Sequence, residues 1–543
     1  MVRDLARLAD EQFDLLVVGG GIHGLAAAYD AARRGLRVAL IERSDFGAAL
    51  SFNHQRTVHG GLRSLQSGDL ARARESIRER RALARIAPHL LRPLPFLMGT
   101  SRGLRRNRLA LGLGFRLDAF LARDRNVGVV PELHLPAGRL VSRAACQRLF
   151  PGLEPAGLTG GATWYDYQTI EPHRLTLAFA IGAAQHGANL ANYVEAGEAL
   201  RSGATVIGVR AHDTLGGAAF DIRARVTLNA AGSHAGRLMA AFGVERMFPL
   251  VQTMNVVTTR RASELALAAA GPDGRVLTLV PWHGVALVGT SQSRDVRTPD
   301  RARTNAEEVG EFLRQANAAF PALAVGPQDV TLVHHGLVPA VVGRDGVPML
   351  KPRADILDHA ADGVQGVVTM VGVKYTTARG VASRAVNRVC RKLGRPRPRC
   401  TTESEPLPGA GIADIEALAI ESMRKGRLDL DPDVVANLTR LYGSRCPGVL
   451  AIAAERPDLA ERLAPACPVL KAEIAHAVRE EMAQTLGDVV LRRTALGHAR
   501  HPGTQVVAAC AEVLADELGW SEARVTREIA ALDAAFGVPP ARG

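Results

Sequence analysis

Residues 17–24, Val-Val-Gly-Gly-Gly-Ile-His-Gly, limit what this chain can fold into more than any other stretch. The apolar run at 15–18 is of strand length and lacks polar alternation, as a parallel strand covered on both faces requires. Gly19, Gly21 and Gly24 complete a G-x-G-x-x-G pattern. The first permits a tight turn, the second lets a pyrophosphate approach the backbone, and the third lets helix and strand pack closely. A helix starting near Ile22 offers free N–H groups and a positive dipole end to a diphosphate. A second apolar run at 38–41 ends in Glu42, about 20 residues on, where an acid accepts hydrogen bonds from ribose hydroxyls. The series predicts a Rossmann-type unit over about residues 11–45 that holds a dinucleotide, with Gly20 and Arg43 among its contacts.

At 543 residues the chain exceeds one core, so two or three domains are expected. No stretch reaches the roughly 18 to 20 apolar residues of a membrane span. The first residues, Met-Val-Arg-Asp-Leu-Ala-Arg, lack the apolar core of a signal peptide. The six cysteines are far apart and form no C-x-x-C pair, so neither a metal site nor a disulfide framework is expected. A reducing setting follows, in the cytoplasm or on the cytoplasmic face of the inner membrane. The net charge of +13 rests almost wholly on arginine. Such a balance steers a protein toward anionic lipid, nucleic acid or phosphorylated substrates, or it reflects genome composition. With no recognition motif and 4% aromatic residues for base stacking, nucleic acid is disfavoured.

Further along, His59-Gly60-Gly61-Leu62-Arg63 precedes a charged helix over about 68–86. The arginine-rich segment 102–108 leads into an apolar run at 109–121, the pattern of an interfacial membrane anchor or of a core helix with a solvated lead-in. A helix is expected at about 172–186. A buried strand at 226–228 ends in Asn229-Ala230-Ala231-Gly232-Ser233, small residues that permit backbone contact with a flat ligand. Strands at 250–258, 276–280, 285–289 and 331–333 suggest a mixed or antiparallel sheet presenting a substrate site. The strand at 367–371 leads into Gly372-Val373-Lys374-Tyr375-Thr376-Thr377 and another helix. Proline-marked segments at 392–409 read as a linker, and residues 410–540 as amphipathic helices.

Taken together, these segments resemble the flavin-dependent glycerol-3-phosphate dehydrogenases, within the wider glycine oxidase and D-amino-acid oxidase-like flavoproteins. The resemblance rests on the glycine fingerprint, the His59 to Arg63 segment, Ala87-Pro88-His89-Leu90, Val280-Pro281-Trp282, Val288-Gly289-Thr290 and the Gly372 to Thr377 turn. In the last domain it adds the segments 481–485 and 488–494. It covers nearly the whole chain and implies an α/β fold: a Rossmann-type FAD-binding domain, a mixed or antiparallel substrate sheet and a C-terminal all-α domain. The expected division is an oxidoreductase domain at 11–400 and a helical domain at 405–543. Within the first, FAD-binding parts fall at about 11–100, 165–240 and 335–395, and the substrate sheet at about 241–334.

The resemblance implies FAD between fingerprint and sheet. It also implies hydride transfer from C2 of sn-glycerol 3-phosphate, giving dihydroxyacetone phosphate, with electrons passed to quinone at the membrane or to another acceptor. Lys374, His59 and Thr376 are the expected catalytic residues. Gly60, Gly61, Ala231, Gly232, Gly372, Lys374, Thr376 and Thr377 join the fingerprint as expected cofactor contacts. Lys374 pairs with charge on reduced flavin or with substrate, or is a turn lysine in solvent. His59 sits against the flavin, or is a structural histidine. Thr376 or Thr377 caps the following helix, whose N-terminus stabilises negative charge on the flavin.

Several substrate positions depart from that family's pattern. Asn53 stands where an arginine is expected. Val338, in Gly336-Leu337-Val338-Pro339, replaces an arginine that grips phosphate. Gln252-Thr253-Met254-Asn255 replaces Lys-Gly-Ser-His, and Gly289-Thr290-Ser291-Gln292 replaces Gly-Thr-Thr-Asp. Valine cannot form charge-assisted bidentate bonds to a phosphate. Losing each such contact costs roughly 1.5 to 3 kcal/mol, unless Arg56, Arg63, Arg344 or Arg379 takes over. Besides the glycerol-3-phosphate reading, two alternatives stand: oxidation of a less charged alcohol or amine, and a flavin-bearing protein without turnover.

Overall fold

The computed structural model describes the chain except residues 104–106, 151–156, 302–303, 397, 413 and 540–543. The glycine fingerprint lies at the end of the central strand of the first sheet. That sheet runs Asp355–Asp358, Val367–Val371, Ala219–Asn229, Gln12–Val18, Val38–Ile41, Asn189–Ala191. In that order all neighbours from Val367–Val371 onward are parallel, while Asp355–Asp358 is antiparallel to the strand beside it and Thr205–Asp213, off this path, pairs antiparallel with Ala219–Asn229. The uninterrupted apolar strands make sense here, because both faces are covered. Helices Ile22–Arg33, Pro172–Gln185 and Ala378–Lys392 share one apolar core with one face. Leu8, Leu238, Met239 and Phe242 pack with residues pointing from the other.

The fingerprint glycines are needed for this packing. Gly19 has φ +114°, a conformation that side chains disfavour. A Cβ on Gly24 would run into the carbonyl oxygen of Gly19, so any larger residue would push the helix off the strand.

The second sheet carries the expected strands as Leu250–Arg261, Val276–Trp282, Val285–Gln292 and Val330–Val342. It also takes strands from outside the expected 241–334 span. Leu91–Thr100 joins Ala266–Ala270 in parallel, and Gly160–Thr169 pairs antiparallel with Leu91–Thr100. Thr57–Val58 and Arg139–Val141 complete that side. The substrate-side sheet thus also takes residues 57–58, 91–100, 165–169 and 335–342 from the spans expected for the cofactor part. Parallel pairing of Ala266–Ala270 with a distant strand leaves no local sequence signal, because neither strand is connected to the other by a turn.

The end of the proline-marked segment packs against the catalytic part. Leu407 is buried, and its N–H donates to the carbonyl of Ile86. Beyond it, helices from Ile415–Gly426 to Glu522–Asp533 enclose their own apolar core. Gly519 takes a left-handed C-cap conformation, and Ser521 caps the last helix by accepting from the Arg524 N–H.

Candidate active site

A single cavity of about 2030 Å³ runs from the fingerprint across one face of the second sheet. That exceeds the roughly 300 to 1,000 Å³ of ordinary small-molecule sites. At one end it is lined by Gly19, Gly21, Glu42, Arg43, Ala231 and Gly232, and further along by Gly61, Gly372 and Lys374. Gly20, Gly24, Gly60, Thr376 and Thr377, also expected at the cofactor, do not line it. Gly20 donates its N–H to Glu42 Oε2 at 2.6 Å, which fixes the acid at the strand end. Burial raises the Glu42 carboxyl above its ordinary range. Gly60 is a packing glycine, because a Cβ there would strike the Arg80 guanidinium.

The lining residues fit a dinucleotide. Gly21 has only Ser51 Oγ, 3.2 Å away, near the position of an added Cβ, so its backbone is open to the groove. His23 Nε2, buried beside Gly372, has no hydrogen-bond partner among the described residues, and burial lowers this histidine to about 4. A neutral imidazole with an unused nitrogen at the helix N-terminus suits a polar ligand lying across both turns.

His59 lines the cavity from the end of the short strand Thr57–Val58. Its Nδ1 lies 3.1 Å from Asp166 Oδ2. The carboxylate can only accept, so Nδ1 carries the proton and Nε2 keeps its lone pair. Asp166 is buried on strand Gly160–Thr169 and also accepts from Gly60 N–H at 2.7 Å and Arg80 Nη1 at 2.5 Å. Burial alone would raise the Asp166 carboxyl. The hydrogen bond from His59 and the Arg80 charge outweigh it and hold the group below its ordinary value. The sequence reading gave Asp166 no role, although an acid at a buried strand position was the signal available.

Thr376 is buried, and its hydroxyl accepts the His59 backbone N–H at 3.1 Å. It therefore holds the histidine, and it does not line the cavity. Thr377 stands at the N-cap of Ala378–Lys392 without a side-chain cap bond. Its hydroxyl turns back to the Lys374 carbonyl at 3.5 Å, so the expected threonine cap is absent.

Lys374 is not a solvent lysine. Burial brings its ammonium down to about 8, with the nearby Arg72 and Arg63 charges adding to the effect. All three cations line the cavity, and none has an ion-pair partner within 4.0 Å among the described residues. Of the four arginines considered as phosphate replacements, only Arg63 lines the cavity. Arg56 is fully buried, bonded to the Phe52 carbonyl and to His334. Arg379 is consumed by Glu79, at 2.6 and 2.8 Å. Arg344 sits in the turn between Val330–Val342 and Pro348–Leu350, away from the lining.

The altered positions divide in the same way. Asn53, Asn255, Thr290, Ser291, Gln292 and Val338 line the cavity, whereas Gln252 turns away and donates to Thr304 Oγ1 at 2.7 Å. Asn53 donates to the His335 carbonyl at 2.9 Å, Asn255 to the Asn53 carbonyl at 3.2 Å, and Gln55 to the carbonyls of Thr278 and Gly289. Their amides thus pin the 51–57 loop onto the sheet. His54, missed by the sequence reading, stacks on Tyr375 with ring centroids 4.3 Å apart. Its Nδ1 accepts the Arg56 N–H at 3.1 Å, which leaves Nε2–H as a neutral donor at the cavity wall.

The chain's similarities agree with this geometry. The profile "FAD dependent oxidoreductase" matches residues 14–386, and "C-terminal domain of alpha-glycerophosphate oxidase" matches residues 400–525. Glycerol-3-phosphate dehydrogenase of Synechocystis is 31% identical, covering 97% of both chains. Glycerol-3-phosphate dehydrogenase 2 of Mycobacterium tuberculosis is 33% identical, covering 96% of this chain and 88% of its own. The crystal structure of glycerol-3-phosphate dehydrogenase from Bacillus halodurans complexed with FAD superposes with a TM-score of 0.76 at 26% identity, covering 98% of this chain and 95% of that one. Fingerprint, cavity and likeness over the full length lead to one assignment: the chain is an FAD-dependent oxidoreductase and belongs to the glycerol-3-phosphate dehydrogenase family.

Proposed function

We propose that this enzyme oxidises the C2 alcohol of sn-glycerol 3-phosphate to dihydroxyacetone phosphate. FAD supplies the hydride acceptor when bound. The chain's own groups do the rest. His59 Nε2 takes the hydroxyl proton as the C2 hydride departs, a general-base role that needs the Nδ1 proton held on Asp166. Lys374, Arg63 and Arg72 supply positive charge for the phosphate and for the anionic edge of the reduced cofactor. Gly19, Gly21, Glu42, Arg43, Ala231, Gly232 and Gly372 hold the dinucleotide. The observation that carries the reading is the oriented His59–Asp166 pair facing the same cavity as three unpaired cations. Arg63→Ala and Arg72→Ala should each raise KM for glycerol 3-phosphate about 10- to 100-fold with kcat less affected, the effect of losing one charged contact. Unchanged KM in both variants would remove the phosphate from this wall.

A second reading, oxidation of a less charged alcohol or amine, is favoured by Val338 and Asn255, which leave the sheet floor of the cavity neutral. Glycerol and other uncharged alcohols turning over faster than the phosphate ester would select it.

Quinone as electron acceptor and peripheral membrane contact belong to the same proposal. Residues 104–106 of the basic segment lie outside the described residues. Helix Arg108–Leu121 buries only Leu111 and Phe115, which line the cavity. Its opposite face exposes Leu109, Leu113, Leu117 and Phe120, with Leu109 80% exposed, beside exposed Arg102, Arg116 and Arg123. Of the two expectations for this run, that face supports the interfacial anchor. No helix among the described residues is long and apolar enough to cross a membrane.

A further inference from the structure

Where the C-terminal helices meet the catalytic part, four ligand-type side chains converge that hydride transfer does not use. Glu171 is the N-cap of Pro172–Gln185, His173 lies in its first turn, and His283 lies in the turn after Val276–Trp282. His498 follows Val489–Arg493 in the C-terminal domain. Glu171 and His498 are fully buried, and the His283 side chain is 29% exposed.

Their geometry leaves a charge requirement unmet. His498 Nε2 lies 3.1 Å from the Leu491 carbonyl, which can only accept, so that nitrogen carries the proton. Its Nδ1 then turns a lone pair toward Glu171 Oε2, 2.9 Å away. Two lone pairs at that separation repel unless a cation, either a proton on Nδ1 or a metal ion, lies between them. Glu171 Oε2 and His498 Nδ1 have no hydrogen-bond partner among the described residues, and neither have the two ring nitrogens of His173, whose Nδ1 is 3.8 Å from Oε2. His283 Nε2 stands 3.5 Å from Oε1. Arg440 and His283 share Oε1, which leaves Oε2 to His498 and His173. Ligand atoms of Glu171, His283 and His498 all fall within 4.8 Å of one another, close enough to share one ion.

We propose that Glu171, His283 and His498 bind a divalent transition cation that fastens the C-terminal domain to the catalytic part. Two imidazoles and a carboxylate form a donor set suited to zinc. The Leu491 carbonyl supplies the outer hydrogen bond that fixes the His498 tautomer, as metal-bound histidines require. The ligands come from three separate chain segments, so the binding energy is also docking energy between domains. The expectation of no metal rested on cysteine spacing, which says nothing of a histidine–glutamate site.

The test is elemental analysis of tag-free holoenzyme purified without chelators. One zinc per chain is expected, falling at least tenfold in Glu171→Gln and in His498→Asn. Because both variants touch the domain contact, cobalt loading of the unaltered enzyme gives a readout that needs no variant. Bound cobalt should add d–d bands on the red side of the flavin absorption, and His283→Asn should shift or abolish them. Holoenzyme that holds no metal and takes up neither zinc nor cobalt at micromolar concentration overturns the proposal. So does uptake that is equal in all three variants.

Discussion

His59 is useful as a base only because Asp166 decides where its proton sits. Asp166→Asn keeps the shape but offers Nδ1 an amide that can also donate, so the productive tautomer is no longer fixed. Flavin reduction by substrate should slow about 10²- to 10⁴-fold in both His59→Asn and Asp166→Asn, while FAD remains bound. Stopped-flow reduction checks this, and a loss under threefold would remove the pair from the chemistry. Lys374 adds a pH signature. Its folded value, depressed to about 8, means the cation is present below that pH and is lost as pH rises through it. Activity should therefore have an alkaline limb near pH 8, and Lys374→Arg should move that limb upward. At this scale the sequence was legible where backbone geometry dictates a residue type, as at Gly19 and Gly24. Asp166 was not, because its meaning comes from pairing with a loop 107 positions away in the chain.

The sheet strands show what element-level patterns can and cannot carry. Apolar runs located the parallel core strands well, and the four main substrate-side strands appear where period and turns placed them. That Leu91–Thr100 and Gly160–Thr169 join this sheet was not legible, because pairing partners, unlike strands themselves, leave no local mark. Helix Arg108–Leu121 was ambiguous for a similar reason. A run apolar on most sides reads alike whether its second face meets a core or a lipid surface. Each exposed leucine transferred to an apolar phase contributes about 1.5 to 3 kcal/mol. The double variant Leu109→Glu/Leu113→Glu should thus lower binding to anionic vesicles at least tenfold without changing reduction by substrate. Unchanged co-sedimentation would exclude this face. On the strand Val330–Val342, Val338→Arg should lower KM for glycerol 3-phosphate; no change would mean that this position does not meet the substrate.

Across the whole molecule, the loop that follows the cofactor strand is tied down by charges from the far end of the chain. Asp45, in the loop just after Glu42, is fully buried between Arg492 and Arg493, with contacts of 2.7 to 2.8 Å. Burial alone would raise its carboxyl, but the two guanidiniums win and depress it to about 2. A depressed acid contributes stability that is present above its unfolded value and is lost as pH falls through the folded one. The domain contact should therefore weaken in strong acid, between about pH 4 and 2. Asp45→Asn should cost about 3 to 5 kcal/mol by leaving two buried cations short of a partner, read by thermal unfolding with FAD release. The domain order and the FAD fold were legible from motifs spread along the chain. The clamp was not, since nothing near Asp45 points to residues more than 400 positions away. The most direct test of the account is anaerobic titration of the yellow holoenzyme with sn-glycerol 3-phosphate. Full bleaching of the flavin, with dihydroxyacetone phosphate formed in equal amount, is predicted. A flavin that stays oxidised with the phosphate ester and bleaches with an uncharged alcohol would contradict it.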